Sequence, residues 1–353
     1  MAAGNSRRRK ERNRNVMILS IICLIIVIAI IGVALSMVNK KSGSKENSTT
    51  VSQSQTREDI KETVSPKPTE TAAKTKAPTP TVTPEPTPEV TASVAPENVY
   101  SNYAYMERVS DGKVMFDKNG SAQMYPASMT KVMTALITIE NLPDLDEQIT
   151  ITSDMIDPFY EQEASMAGFT AGENVTVRDI LYGILLPSGA DACAAAATRV
   201  AGSEAAFVEL MNQKAEQLGL TGTHFSNCSG LHAQDHYMTC TDMAKLFEAA
   251  LQNPVFKEMI TAHDHTCAAD EYNPEGLYFH STMFTYLSSD TLANGAVIQG
   301  GKTGTTDEAG YCLASFATYK GETYVLVTSG APFDNTGEHY NVADACTIYG
   351  ALG

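Results

Sequence analysis

The chain of 353 residues contains no tryptophan, and beyond Glu97 it is short of cations, with arginine only at Arg108, Arg178 and Arg199. Residues 98–353 carry 11 Lys+Arg against 32 Asp+Glu, a net of −21 within a total of −16, while residues 1–97 carry 14 against 9. So acidic a body excludes a nucleic-acid partner. Nor would it be drawn to an anionic bilayer, so any attachment to a membrane needs another device. The sequence also lacks C-x-x-C, H-E-x-x-H and any internal repeat, which removes the usual zinc and repeat signatures. A wholly disordered chain is excluded by a hydrophobic fraction of 43% against 19% charged residues.

What is present first is a run of 23 residues without charge, Val16 to Val38. As a helix it would measure about 34 Å, enough to cross a bilayer core. Six cations precede it (Arg7, Arg8, Arg9, Lys10, Arg12, Arg14) and three follow (Lys40, Lys41, Lys45). The positive-inside rule therefore expects residues 1–15 as a cytoplasmic tail, residues 16–38 as a single transmembrane anchor in the lipid bilayer of the cell membrane, and the remainder outside. The run exceeds the apolar core of a cleaved signal peptide, and no clear A-x-A site follows it. Residues 39–97 hold eight of the 15 prolines among Thr, Ser, Lys and Glu. That composition reads as a disordered spacer with a maximum reach of roughly 180 Å.

Residues 98–353 read as one large domain. Two strand-like runs, YAYMERV and KVMFD, flank Ser110-Asp111-Gly112, a hairpin turn signal. Helical patterns follow: the apolar stripe of MTKVMTALITIE, a capping pair Thr176/Asp179, Ser203 before EAAFVELMNQKAEQL, and Thr239/Asp242 before DMAKLFEAAL. The chain then returns to strands in VIQGG, YCLASFATY and TYVLVTSG and ends on a helix-like NVADACTIYG. Strands first, helices between and strands last predict an α+β sandwich, an antiparallel β-sheet of N- and C-terminal strands covered by helices.

Three short motifs carry the chemistry. Ser128 and Lys131 lie one turn apart at the start of the first strong helix. A serine hydroxyl needs a base within hydrogen-bond reach, and a lysine serves only if its environment makes it give up its proton readily. Ser188-Gly189-Ala190 follows an apolar helix, and Gly300-Gly301-Lys302-Thr303-Gly304-Thr305-Thr306 sets a cation and hydroxyls among glycines that permit close approach. A carboxylate would fit the last of these.

Each motif alone says little; together, in this order, S-x-x-K, S-x-N-like and K-T-G form the signature shared by class A β-lactamases and penicillin-binding proteins. The chain resembles the serine D-alanyl-D-alanine carboxypeptidases, the low-molecular-mass penicillin-binding proteins, through PASMTKVMTAL, ENVTVRDILYGILLPSGADA, LGLTGTHFSNCSGLHAQDHYMTCTDMAKL and GGKTGTTDEAGYCLASFA. The resemblance implies a β-lactamase/DD-peptidase-like fold. It also implies removal of the terminal D-alanine from peptidoglycan stem peptides, and β-lactams as covalent inhibitors. Carried over, Ser128 is the nucleophile, Lys131 its base and Ser188 a relay to the leaving amine. Lys302, Thr303, Gly304 and Thr305 hold the substrate, with the backbone N–H groups of Ser128 and Thr305 as the oxyanion hole. No cofactor and no catalytic metal are implied. The alternatives are a catalytically weakened penicillin-recognising wall-binding or sensor protein, or a β-lactamase; retention of Ser128, Lys131, Ser188 and Lys302 favours an enzyme over the sensor, and the lack of a recognisable deacylating Glu segment disfavours the β-lactamase.

The sequence departs from that family at Ala190, where the motif normally ends in asparagine, and no arginine lies near the last strand to clamp a carboxylate. Asp191 is expected to cap the alanine-rich helix, leaving a water or a neighbouring donor to replace the missing amide. The six cysteines beyond the apolar run are expected to be buried, unpaired small side chains. His263, His265 and Cys267 are close enough in sequence to suggest a metal, but without a second ligand cluster they read as a polar surface segment.

Overall fold

The hairpin expected from Asp111-Gly112 opens the domain in a computed structural model that describes residues 91–334 and 336–353. Strands β1 (Tyr103–Arg108) and β2 (Lys113–Lys118) pair antiparallel around Gly112, whose φ of 66° suits glycine. Arg108 closes the turn by donating to Asp111 at 2.6 and 2.9 Å. At the other end of the chain β3 (Val297–Thr306), β4 (Gly310–Tyr319) and β5 (Glu322–Ala331) form a meander. The five strands make one antiparallel sheet in the order β2-β1-β5-β4-β3, with Tyr105 opposite Val327 where the first and last strands meet. Closure of the sheet by strands more than 200 residues apart is the arrangement expected from the sequence.

Both faces of this sheet are covered, so its inner strands are apolar on alternate residues toward two different cores. Tyr105, Ala314, Phe316, Val325 and Val327 face the helical body with Phe247 and Met133. Ala104, Met106, Leu313, Tyr324 and Leu326 face the closing helix with Ile348 and Tyr349. The helices are α1 (Lys131–Asn141), α2 (Val177–Leu185), α3 (Ala190–Ala201), α4 (Glu204–Gln217), α5 (Cys240–Leu251) and the closing α6 (Tyr340–Gly350). The expected caps form: Thr176, Ser203 and Thr239 each accept the backbone N–H three residues on, at 3.1, 3.2 and 3.0 Å. Five cysteines are buried, Cys346 is half-buried, and all six are free thiols.

Two expectations change. The spacer does not run free to residue 97: Thr91 and Gly353 exchange backbone hydrogen bonds at 3.2 and 3.0 Å, and Ala92 and Val94 pack on the outer core. The seven residues 91–97 thus belong with the domain, because Asp344 on α6 holds the next stretch by accepting from the N–H groups of Tyr100 and Ser101. Ser128 also lies on a 3₁₀ turn, Ala127–Thr130, and the α-helix begins at Lys131. The cytoplasmic tail, the 16–38 anchor and most of the spacer lie outside the described residues. Among the described residues no helix is long and apolar enough to cross a membrane.

Candidate active site

The turn that carries Ser128 sits where α1, the edge strand β3 and the loop before α5 meet. Ala127, just before Ser128, is held at a φ of 47°, and Ser188 at 68°, both in the left-handed region that non-glycine residues rarely occupy. Two glycines let the backbones close on this turn. A Cβ at Gly304 would lie 2.9 Å from the Pro126 carbonyl and 3.0 Å from the Ser128 nitrogen; one at Gly230 would lie 2.0 Å from the Ala127 carbonyl. Contact fixes glycine at 304, and at 230 contact and a φ of 81° both do.

Lys131 donates to the Ser128 hydroxyl at 3.1 Å and to the Ser229 carbonyl at 2.5 Å. Lys302 donates to the Ser188 hydroxyl at 3.0 Å and to its neighbour's carbonyl, Thr303, at 2.9 Å. Both lysines are almost wholly buried, 2% and 0% exposed. Burial pushes the Lys131 amine below its usual range, and burial together with the charge of Lys131 pushes Lys302 well below it. Burial thus makes the Lys131 proton easier to lose than that of a solvated lysine, and the charge of Lys131 adds to burial in doing the same for Lys302.

Two adjoining cavities open on Ser128. One, of about 140 Å³, is lined by Ser128, Ser188, Thr303, Gly304 and Thr305 together with Tyr286 and His339. The other, of about 340 Å³, reaches Lys131, Ala190, Ser229 and Thr306. The structure therefore brings together all seven residues singled out in the sequence: Ser128, Lys131, Ser188, Thr303, Gly304 and Thr305 at the cavities, and Lys302 beneath through its bond to Ser188. The glycine-rich stretch is not a hairpin turn; it is the middle and end of β3, with Lys302 opposite Ala314 and Thr303 opposite Leu313.

Several groups at the site escaped the sequence reading. Ser229 contributes a carbonyl, which no side-chain pattern reports. Thr282 meets Thr303 hydroxyl to hydroxyl at 2.5 Å, from a short helix, Thr282–Tyr286. His236, in the block quoted for the resemblance, is buried, and burial lowers its pKa to about 4. It accepts the Ser226 N–H on Nδ1, so its Nε2 donates to Thr130, two residues from Ser128.

The corner around Ala190 is built differently from expectation. Asp191 does not cap α3: Gly189 occupies the cap position without a side-chain bond, and the Asp191 carboxylate accepts the N–H groups of Ala167, Gly168 and Phe169 at 2.7, 2.9 and 3.2 Å. The Ala190 N–H donates to the Ser165 carbonyl at 2.8 Å. These bonds pin the loop so that Ser165, exposed, lines both cavities beside Ser128. The three arginines are engaged elsewhere, with Asp111, Glu258 and Glu147 at 2.6, 3.8 and 2.5 Å, which fits the expectation that none clamps a carboxylate.

The profile of a family described as D-alanyl-D-alanine carboxypeptidase matches residues 90–332. A D-alanyl-D-alanine carboxypeptidase of Bacillus subtilis, DacF, is 36% identical over 225 residues, covering 62% of this chain and 54% of its own length. The D-alanyl-D-alanine carboxypeptidase of a Streptomyces strain (K15) is 34% identical over 61% of this chain and 75% of its own. The crystal structure of the Streptomyces K15 DD-transpeptidase superposes with a TM-score of 0.63 at 26% identity, over 71% of this chain and 97% of that one. The chain thus spans about half the length of the Bacillus relative. With a profile match over most of its length, and with the paired serines and lysines in one pocket, this chain belongs to the D-alanyl-D-alanine carboxypeptidase family.

Proposed function

We propose that this protein is a membrane-anchored serine carboxypeptidase that removes the terminal D-alanine from peptidoglycan stem peptides. The observation that carries this reading is the pairing of each buried lysine with a serine, Lys131 with Ser128 at 3.1 Å and Lys302 with Ser188 at 3.0 Å. The Ser128 hydroxyl attacks the carbonyl carbon of the penultimate D-alanine while Lys131 accepts its proton. The tetrahedral intermediate collapses, the C–N bond breaks, and Ser188, bonded to Lys302, passes a proton to the departing amine. D-alanine leaves; water then attacks the ester on Ser128 and frees the shortened peptide. Thr303 and Thr305 supply hydroxyls for the terminal carboxylate. A β-lactam offers a carboxylate and a strained amide to the same nucleophile. Mass spectrometry of a D-Ala-D-Ala pentapeptide incubated with the full chain should show the loss of one alanine; an unchanged peptide would overturn the reading.

The asparagine amide that Ala190 lacks has a neighbour able to replace it. Ser165 presents its residue to both cavities from a loop held by four hydrogen bonds, one to Ala190 and three to Asp191. Its hydroxyl can donate to the substrate carbonyl, a role closed to the Asp191 carboxylate, which is acceptor only and already occupied. Ser165→Ala is expected to lower kcat/KM on the pentapeptide by about 5- to 150-fold, the value of one hydrogen bond to the transition state, with an unchanged melting temperature. Unaltered kinetics in that variant would leave the corner to water.

The anchor is supported by the charge asymmetry around residues 16–38, which sets the N-terminus in the cytoplasm and the catalytic domain outside. Protease added to intact cells is expected to release the domain by cutting within residues 39–90. Protection until lysis would defeat this topology.

A further inference from the structure

The geometry points to a zinc-class metal site, separate from the serine chemistry, formed by Asp179, His265 and Cys267. These residues offer a carboxylate oxygen, an imidazole nitrogen and a sulfur, all within 4.8 Å of one another. Asp179 stands in the first turn of α2, 86 residues before His265, so no sequence spacing could have announced the set. His265 lies on the short strand Asp264–Thr266 and Cys267 directly follows it, its N–H held by the Leu277 carbonyl at 2.9 Å. Two apart along an extended chain, their side chains leave on the same side, toward α2.

The mixture of oxygen, nitrogen and sulfur suits zinc better than calcium or magnesium, which prefer oxygen alone. The surroundings hold each donor in place. Thr176 donates to one oxygen of Asp179 at 2.6 Å, leaving the other for His265, also at 2.6 Å. Tyr182 stacks on the His265 ring at 3.9 Å with an angle of 8° between the planes. Supports of this kind orient the ligands of protein metal sites. Tetrahedral zinc ligands at ~2.0–2.1 Å would stand roughly 3.3 Å apart. Entry of the ion therefore requires Asp179 and His265 to part by less than about an ångström.

Charge argues the same way. The three donors are buried or half-buried, and two of them, Asp179 and Cys267, would meet a cation as anions. Zinc would replace the thiol proton, which passes to solvent, and the proton that His265 Nε2 shares with Asp179, the neutral ring then carrying its proton on Nδ1, so that a thiolate and an imidazole nitrogen bond to the metal. The fourth position falls to water. The site would staple α2, which leads into Ser188, to the segment 264–281 that leads into Thr282 and its contact with Thr303.

The test uses the full chain stripped with a chelator and then given Co²⁺ or Zn²⁺ alone. One equivalent of cobalt should bind with a thiolate-to-cobalt charge-transfer band, and zinc should displace it. Zinc at a hundredfold excess over its Kd should raise the melting temperature by about 5–10 °C. Cys267→Ser should abolish the band, and both Cys267→Ser and His265→Phe, which keeps a ring against Tyr182, should weaken zinc binding at least tenfold. In the unsubstituted chain zinc should slow alkylation of Cys267 but not of Cys346, a readout that needs no variant. Absence of bound metal, or binding that leaves Cys267 as reactive as before, would overturn the assignment.

Discussion

Ser128→Ala is expected to yield a folded protein that no longer forms a covalent adduct with a labelled penicillin and whose kcat/KM on a D-Ala-D-Ala pentapeptide falls by about 10⁴- to 10⁶-fold. The loss should be nearly complete because no second nucleophile can take over. The nearest thiols, Cys193 and Cys228, are wholly buried, and Ser188 is 5% exposed and bonded to Lys302. The substitution removes one oxygen at the mouth of a cavity, leaving the 3₁₀ turn and its contact with Gly304 intact, so the melting temperature should not move. Intact-mass analysis and peptide mapping decide the matter. Labelling that survives the substitution, or that maps to a cysteine, would remove Ser128 from its role.

The sheet was legible because each of its strands advertises itself locally. Asp111-Gly112 marks the first hairpin, and the last two strands, β4 and β5, alternate between two apolar cores. The helices carry side-chain caps at Thr176, Ser203 and Thr239, which satisfy backbone donors by contacts three residues away and so leave a trace in the sequence. The four paired side chains, Ser128 with Lys131 and Ser188 with Lys302, were legible for a different reason. Ser128 and Lys131 are one turn apart, and the other two belong to motifs whose order is itself informative.

What the sequence concealed depends on distance or on backbone. Asp191 stands where an acid before an alanine run is usually a cap, yet its partners are the N–H groups of Ala167, Gly168 and Phe169, 22 to 24 residues upstream. A local pattern cannot distinguish the two roles. The Ser229 carbonyl that holds Lys131 has no side-chain signature, and the close approach of Gly230 to Ala127 and its φ of 81°, both visible only in three dimensions, explain why glycine follows it. Ser165 reaches the site on a loop whose sequence, EASMAGF, has no chemical motif. His265 and Cys267 read as a polar segment because their third partner, Asp179, belongs to a helix cap far away in the chain.

Lys131→Met should separate catalysis from stability by sign. The methionine fills most of the volume without a charge, so the base is lost while packing against Cys228 and Ser229 remains. Acylation by penicillin and kcat/KM on peptide should both fall by about 10³- to 10⁴-fold, the scale of a missing general base with the nucleophile retained. In the parent chain kcat/KM should rise with pH as the buried pair gives up its proton; that rise should vanish in the variant. Stability should follow the opposite comparison. Because burial lowers the Lys131 pKa, the unfolded chain binds more protons than the folded one at any pH between the folded value and the ordinary lysine value near ~10.4. The parent therefore gains stability as pH rises through that window, whereas the methionine variant keeps only the corresponding term of buried Lys302. At pH below the folded value the variant loses the bond to the Ser229 carbonyl but is spared the burial of an ammonium, so the two should melt within a few degrees of each other there. As pH climbs toward 10 the parent should pull ahead. A variant whose relative stability is flat or improves with pH would show that Lys131 is charged in the folded protein, and a cation held beside Ser128 cannot be its base.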